Sequence, residues 1–196
     1  MTDKKIILDL CGGSGSWSKP YKEAGYEVIN VTLPEYDVRT YSPPQNVYGI
    51  LAAPPCTMFS FARTRAIKPR NFREGMEIVE ACLKIIWKCR FEAPLKFWAM
   101  ENPKCYLRQF LGKSVMTFHP WEYGDAYTKA TDIWGYFNIP KKSPIKVPIE
   151  ILEKCKTNSR ELPKFPSISE ITGSQQAAKR AITPKGFAEA FFEANR

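Results

Sequence analysis

Short apolar runs alternate with amphipathic stretches along this chain, and the alternation predicts a mostly parallel β-sheet with helices on both faces. Residues 6–10, Ile-Ile-Leu-Asp-Leu, form the first buried-strand pattern. They are followed at once by Cys11-Gly12-Gly13-Ser14-Gly15-Ser16-Trp17 and by a helical stretch, 19–24, that ends at Gly25. Residues 27–31 read as a second strand, alternating enough to be central. A third apolar run, 48–53, stops at Pro54-Pro55, because neither proline carries an N–H and each restricts the residue before it. Residues 74–90 have the clearest helical period, with apolar positions 78, 79, 82, 83, 85, 86 and 89 on one side. A fourth strand, 95–100, runs into Glu101-Asn102-Pro103, and 115–121 and 133–137 read as two more. Thr183 and Pro184 then cap a terminal helix, 184–194, with Phe187, Ala188, Phe191 and Phe192 on its apolar side.

Composition adds bounds to this pattern. With 196 residues, 44% of them hydrophobic, the chain is long enough for one domain with a full core and no staples. Residues 138–173, rich in proline and lysine and poor in periodicity, read as an irregular segment, an extended arm of that domain. The first apolar run is too short for a signal peptide and no stretch has the length of a membrane span, so a cytoplasmic protein with reduced thiols is expected. The six cysteines form no Cys-x-x-Cys pair and there is one histidine, so no metal is implied. The net charge of +9 suggests a polyanionic partner. Five of the cations, Arg63, Arg65, Lys68, Arg70 and Arg73, lie between Cys56 and Glu74 with no acid among them. Phosphates are the obvious counterpart of that run, and a solvated loop is the alternative.

Candidate chemistry falls at the ends of the expected strands, where open α/β folds bind ligands. A glycine-rich turn between strand and helix lets a backbone approach a nucleotide, and Asp9 at the strand end offers a carboxylate to its amines or hydroxyls. Asp37 offers a second. Cys56, just past the third strand, is a nucleophile if its pKa is lowered by the cations that follow it, and otherwise a structural cysteine in a tight turn. Glu101 stands just past the next strand, so a thiol and a carboxyl should meet in one crevice. Residues 122–132 alternate polar and aromatic side chains, as a substrate-contacting loop or a surface hairpin would.

Taken in order, Asp9-Leu10-x-x-Gly13-x-Gly15, Pro54-Pro55-Cys56-x-x-Phe59-Ser60, Glu101-Asn102, and Ala181-Ile182-Thr183-Pro184 before a terminal helix resemble the motif set of the cytosine-5 DNA methyltransferases. The resemblance spans nearly the whole chain and implies a Rossmann-like, S-adenosylmethionine-dependent methyltransferase fold. It assigns Asp9, Gly13, Gly15, Asp37 and Pro55 to the cofactor. Cys56 becomes the nucleophile toward carbon 6 of a cytosine, and Glu101 the group that shares a proton with ring nitrogen 3. DNA is then the partner of the basic run, with Ser60, Arg63, Arg65, Lys68 and Arg70 as contacts.

Several positions depart from that pattern. Cys11 stands where the family usually has a phenylalanine that stacks on adenine, and Trp17 is the aromatic nearby that could wall the cofactor instead. Asn30-Val31-Thr32 replace the ribose-binding acid. The base-holding Gln-x-Arg-x-Arg motif is absent, which makes Lys129 in Thr128-Lys129-Ala130-Thr131 the nearest candidate for a base or phosphate contact. Only 45 residues separate Gly135 from Ala181, where the family usually inserts a target-recognition domain. Compact members of this kind resemble those carried by bacteriophages and their hosts. RNA or a cytidine nucleotide as substrate, or a relative that binds without catalysis, are the alternatives this brevity raises.

Overall fold

The computed structural model describes residues 4–61, 63, 66–92, 95–145, 165–168 and 177–196. Six strands form one sheet: β1 (Ile6–Leu10), β2 (Glu27–Val31), β3 (Val47–Ala52), β4 (Phe97–Pro103), β5 (Met116–Phe118) and β6 (Thr131–Tyr136). Their order is β2-β1-β3-β4-β6-β5. The first four strands are parallel, and β6 runs antiparallel to both of its neighbours. This is the expected α/β class with a mixed, mostly parallel sheet.

Side-chain alternation sends each strand's residues to two separate cores. Ile7, Leu51, Phe97, Ala99 and Ile133 meet Tyr21 of α1 (Lys19–Glu23) and Phe187, Ala188 and Phe191 of the terminal helix (Lys185–Asn195). Leu8, Leu10, Ile50, Ala52, Met100 and Trp134 face the opposite way, toward Val79, Cys82, Ile86 and Cys89 of α2 (Phe72–Glu92). Helices thus cover both faces. The side chain of Asn71 accepts from the backbone N–H of Glu74 at 3.2 Å and opens α2 two residues before the apolar period does.

Three expectations about strands change. β2 is an edge strand, half-covered along most of its length, which its alternation of apolar and polar residues also permits. The strand expected over 115–121 is cut to Met116–Phe118, because Pro120 opens a 3₁₀ turn, Pro120–Tyr123, closed by the Glu122 carboxylate accepting from the N–H of His119 at 2.7 Å. β4 continues beyond Met100, its last residue paired with β3, through Glu101, Asn102 and Pro103, which pair with β6 alone. That overhang places Glu101 within the strand.

The described part of the proline- and lysine-rich segment is fastened down. The N–H of Asn138 donates to the Asn195 side chain at 2.8 Å, and the N–H groups of Ser143 and Ile145 donate to the carbonyls of Glu122 and Trp121. Residues 146–164 and 169–173 of the expected arm lie outside the described residues.

Behind β6, Asp132 is fully buried and accepts from Arg108 at 2.9 and 2.7 Å, Thr117 at 2.6 Å and Ser114 at 3.2 Å. Removing that carboxylate strands a partly buried guanidinium and two hydroxyls. Asp132→Ala is therefore expected to cost about 3 kcal/mol of stability, read as a lower urea midpoint; a midpoint within error of the parent would exclude this role.

Candidate active site

β1, β2 and β3 end flush at Leu10, Val31 and Ala52. The chain order reverses at β1, so the crevice beyond β1 and β3 is the switch point where such sheets bind ligands. The glycine turn occupies one wall. Cys11, Gly13 and Gly15 have φ of 57°, 54° and 69°, a left-handed region that glycine adopts freely. Gly12 is required for a different reason: a Cβ there would lie 2.3 Å from the carboxyl carbon of Asp9. The Asn30 side-chain amide donates to the carbonyl of Gly13 at 3.0 Å, so this residue braces the turn in the place of an acid.

Asp9 is fully buried, on the α1 face of the sheet, and accepts from the Ser18 hydroxyl at 2.6 Å through one oxygen. Its other oxygen, and the side-chain oxygen of Asn30, are buried without a protein partner. Two orphaned acceptors around a glycine turn suit a ligand that brings amine or hydroxyl donors. Burial pushes the Asp9 pKa up to about 6, against the opposing Ser18 bond. The folded protein then keeps a proton that the unfolded chain releases between about pH 4 and 6, so this group lowers stability by about 3 kcal/mol as pH rises through that window. Asp9→Asn is expected to flatten the pH dependence of the unfolding midpoint between pH 4 and 6; an unchanged slope would contradict it.

The remaining residues expected at the cofactor fall into two groups. Cys11 lies beside Asp9 and Asp37, whose charges both act on its thiol, but the Cys11 sulfur turns toward α2, where a hydrogen bond with Cys82 lowers its pKa. Asp37 is held well below the usual carboxylate range, at about 2, by the Arg39 guanidinium and backbone N–H. Pro55 is exposed, next to Cys56. Trp17 is the exception: it is 2% exposed, with Phe187 and Phe191 at centroid distances of 6.1 and 5.4 Å. It belongs to the core under α1 and walls no crevice, because the turn's left-handed glycines send it back beneath the sheet.

The opposite wall is the segment after β3. Asn102, on the β4 overhang, donates to the carbonyl of Pro54 at 2.9 Å and ties the two strand ends together. Cys56 opens a 3₁₀ turn, Cys56–Met58, whose carbonyl receives the N–H groups of Phe59 and Ser60. Arg70 was expected on phosphates, but its guanidinium donates to the carbonyls of Met58 at 2.7 Å and Ser60 at 3.0 Å and lies over the Tyr106 ring. It clamps the loop that carries the thiol. Arg63 is half-buried, Lys68 is exposed, and Arg65 lies outside the described residues.

Glu101 and Lys129 both act on Cys56, and Lys129 acts on Glu101. Burial pushes the Cys56 thiol up, the Glu101 charge adds to this, and Lys129 opposes both. Burial likewise pushes Glu101 up, with Lys129 again opposing, and one Glu101 oxygen is buried without a partner. Among the described residues of the basic run, Arg63, Lys68, Arg70 and Arg73 do not contribute to the thiol's balance, contrary to expectation; the described cation that reaches it comes from the loop before β6. Lys129 is held there by its carbonyl, which accepts from the Thr131 hydroxyl at 3.0 Å.

Glu101 and Lys129 line a crevice too narrow to hold a water molecule, with Phe118, Thr131, Thr183 and Pro184. Thr183 reaches it because its N–H donates to the Ser16 hydroxyl of the glycine turn at 3.0 Å, joining the last motif to the first. A larger open groove, about 360 Å³ between Val38–Pro43 and α2, contains neither Cys56 nor Glu101. Within the neighbouring loop, Asp125 accepts from the N–H of Gly186 at 2.9 Å, so it anchors the terminal helix. Asn102 and Ser16 had no assigned role in the sequence; a buried asparagine beside the expected glutamate was the available signal for the first.

No protein-family model matches this chain, and no curated protein matches it. Among solved structures it is similar to a candidate DNA modification methyltransferase encoded within a prophage of E. coli, with a TM-score of 0.46 and 13% identity. The match covers 74% of this chain and 53% of the other, so the chain spans about half the length of that protein. No described helix is long and apolar enough to cross a membrane, and no cluster of metal-ligating side chains occurs among the described residues.

Proposed function

We propose that this chain transfers a methyl group from S-adenosylmethionine to carbon 5 of cytosine in DNA, through a transient bond between Cys56 and carbon 6. The observation that carries this reading is the convergence at the strand ends, where Glu101 and Lys129 line one crevice and Asn102 ties the β4 overhang to the carbonyl of Pro54, two residues before Cys56. The unpaired oxygens of Asp9 and Asn30 beside the glycine turn fit the amine and hydroxyl donors of the cofactor, which would supply the methyl group.

Carbon 5 of cytosine is a poor nucleophile until an electron pair is pushed onto it. The Cys56 sulfur forms a bond to carbon 6, and a proton held at Glu101 passes to ring nitrogen 3 and takes up the displaced charge. Glu101 suits that role because burial favours its protonated form. Its protonation also removes a charge that holds the thiol up, so an acid at nitrogen 3 and a thiolate at carbon 6 favour each other. Lys129 steadies whichever of the two groups is anionic. Once carbon 5 carries the methyl group, its proton passes to water, the electron pair of that C–H bond expels the Cys56 sulfur as thiolate, and nitrogen 3 returns its proton to Glu101. A cytosine paired within a duplex does not reach such a crevice, so the substrate base is extruded or unpaired.

Incubation with tritiated S-adenosylmethionine and, separately, duplex DNA, single-stranded DNA, RNA and deoxycytidine monophosphate tests the reading. Tritiated 5-methylcytosine is expected from DNA. Label confined to RNA or the nucleotide would transfer the chemistry to that substrate, and label in none would overturn the proposal.

A further inference from the structure

The loop that carries Cys56 also presents an aromatic face that the chemistry above does not use. Phe61 is 60% exposed and packs edge-on against Tyr106, with ring centroids 4.8 Å apart. Tyr106 is 37% exposed and Phe110 48%, and Phe72 joins the two at 5.6 and 5.4 Å. Arg70 lies over the Tyr106 ring at 4.9 Å while its guanidinium holds the backbone of Met58 and Ser60. The N–H of Tyr106 donates to the carbonyl of Phe59, which fixes the rings to the loop. Exposed aromatics on a braced backbone lose little entropy when a flat partner lies on them.

Their surroundings specify the partner. Lys68 is exposed in the same loop, Arg63 is half-buried, and the sequence from Thr57 to Arg73 has no acid. Aromatic rings interleaved with cations are how sequence-tolerant single-strand sites are made: the rings take base faces and the cations take phosphates. A duplex hides its base faces in the stack. Phe61 is five residues from Cys56, within about 18 Å along an extended backbone.

We propose that Phe61 and Tyr106 form a stacking platform for single-stranded DNA, holding a base that flanks the one delivered to Cys56. The inference rests on the methyltransferase reading for the identity of the strand, and it narrows the substrate from DNA to its unpaired form. Specificity from such a platform is low, as expected where only 45 residues separate Gly135 from Ala181.

Fluorescence anisotropy with labelled (dT)₂₀, which contains no cytosine and needs no cofactor, tests the platform apart from the chemistry. Phe61→Ala is expected to weaken binding at least 5-fold, the lower end for loss of one stacked base, without changing the slope of log affinity against log salt. Phe61→Trp should restore affinity, and Lys68→Ala should reduce the slope. A Phe61→Ala affinity within twofold of the parent, or binding of a dT·dA duplex or of rU₂₀ tighter than that of (dT)₂₀, would overturn the proposal. Loss of binding in Phe61→Ala from a protein that methylates nothing would leave the platform standing and remove the enzymatic reading; methylation with unchanged binding would do the reverse.

Discussion

Cys56→Ala is expected to lose methyl transfer by at least about 10³-fold, since removal of a covalent nucleophile leaves only binding and orientation to act. The same substitution should abolish the denaturation-resistant adduct with DNA carrying 5-fluorocytosine, in which fluorine at carbon 5 blocks release of the sulfur. Cys56 is only partly buried, so the variant should keep the parent's unfolding midpoint. An adduct that survives in Cys56→Ala would show that another nucleophile does the work.

Glu101→Gln is expected to move two observables in opposite directions. Transfer should fall by about 10²- to 10⁴-fold, the range for loss of a positioned general acid. Alkylation of Cys56 by iodoacetamide, followed by peptide mass spectrometry, should become faster at pH 8. The sign follows from the electrostatics: the Glu101 charge raises the thiol pKa, so a neutral glutamine lets more of the sulfur ionise at a given pH. A misfolded variant would also lose transfer, but it would expose every cysteine alike, whereas here the gain should be confined to Cys56. Unchanged turnover would remove the acid role; unchanged alkylation would remove the coupling.

Much of the architecture is legible in the sequence. The run 48–53 ended at two prolines that cannot extend a ladder, and β3 stops at Ala52. The apolar period of 74–90 appears as α2 with two added residues at each end, where capping by Asn71 and fraying decide the limits. Edge and centre were not legible for β2, because alternation reports how many faces a strand buries and not who sits beside it. For the site, the residues of the quoted motifs do gather at one end of the sheet. Their roles were less visible. Arg70 read as a phosphate contact and is a backbone clamp, and Trp17 read as a cofactor wall and is core; in each case a nearby apolar or carbonyl surface, supplied by distant residues, competed for the side chain.

Local chemistry in the sequence determined where strands and helices begin and end, and which residue types stand at the strand tips: glycines with a carboxylate, a cysteine behind prolines, a glutamate beside an asparagine. Those signals are short-range, set by missing N–H groups, left-handed glycines and the period of apolar side chains. Only the tertiary structure decided which of these tips meet. The overhang of β4 past β3, the Asn102 bond to Pro54 and the Ser16 bond to Thr183 draw Glu101, Cys56 and the glycine turn together. The low dielectric of that enclosure, which no stretch of sequence carries by itself, then pushes the Cys56 thiol and the Glu101 carboxyl up, with the Lys129 charge opposing both.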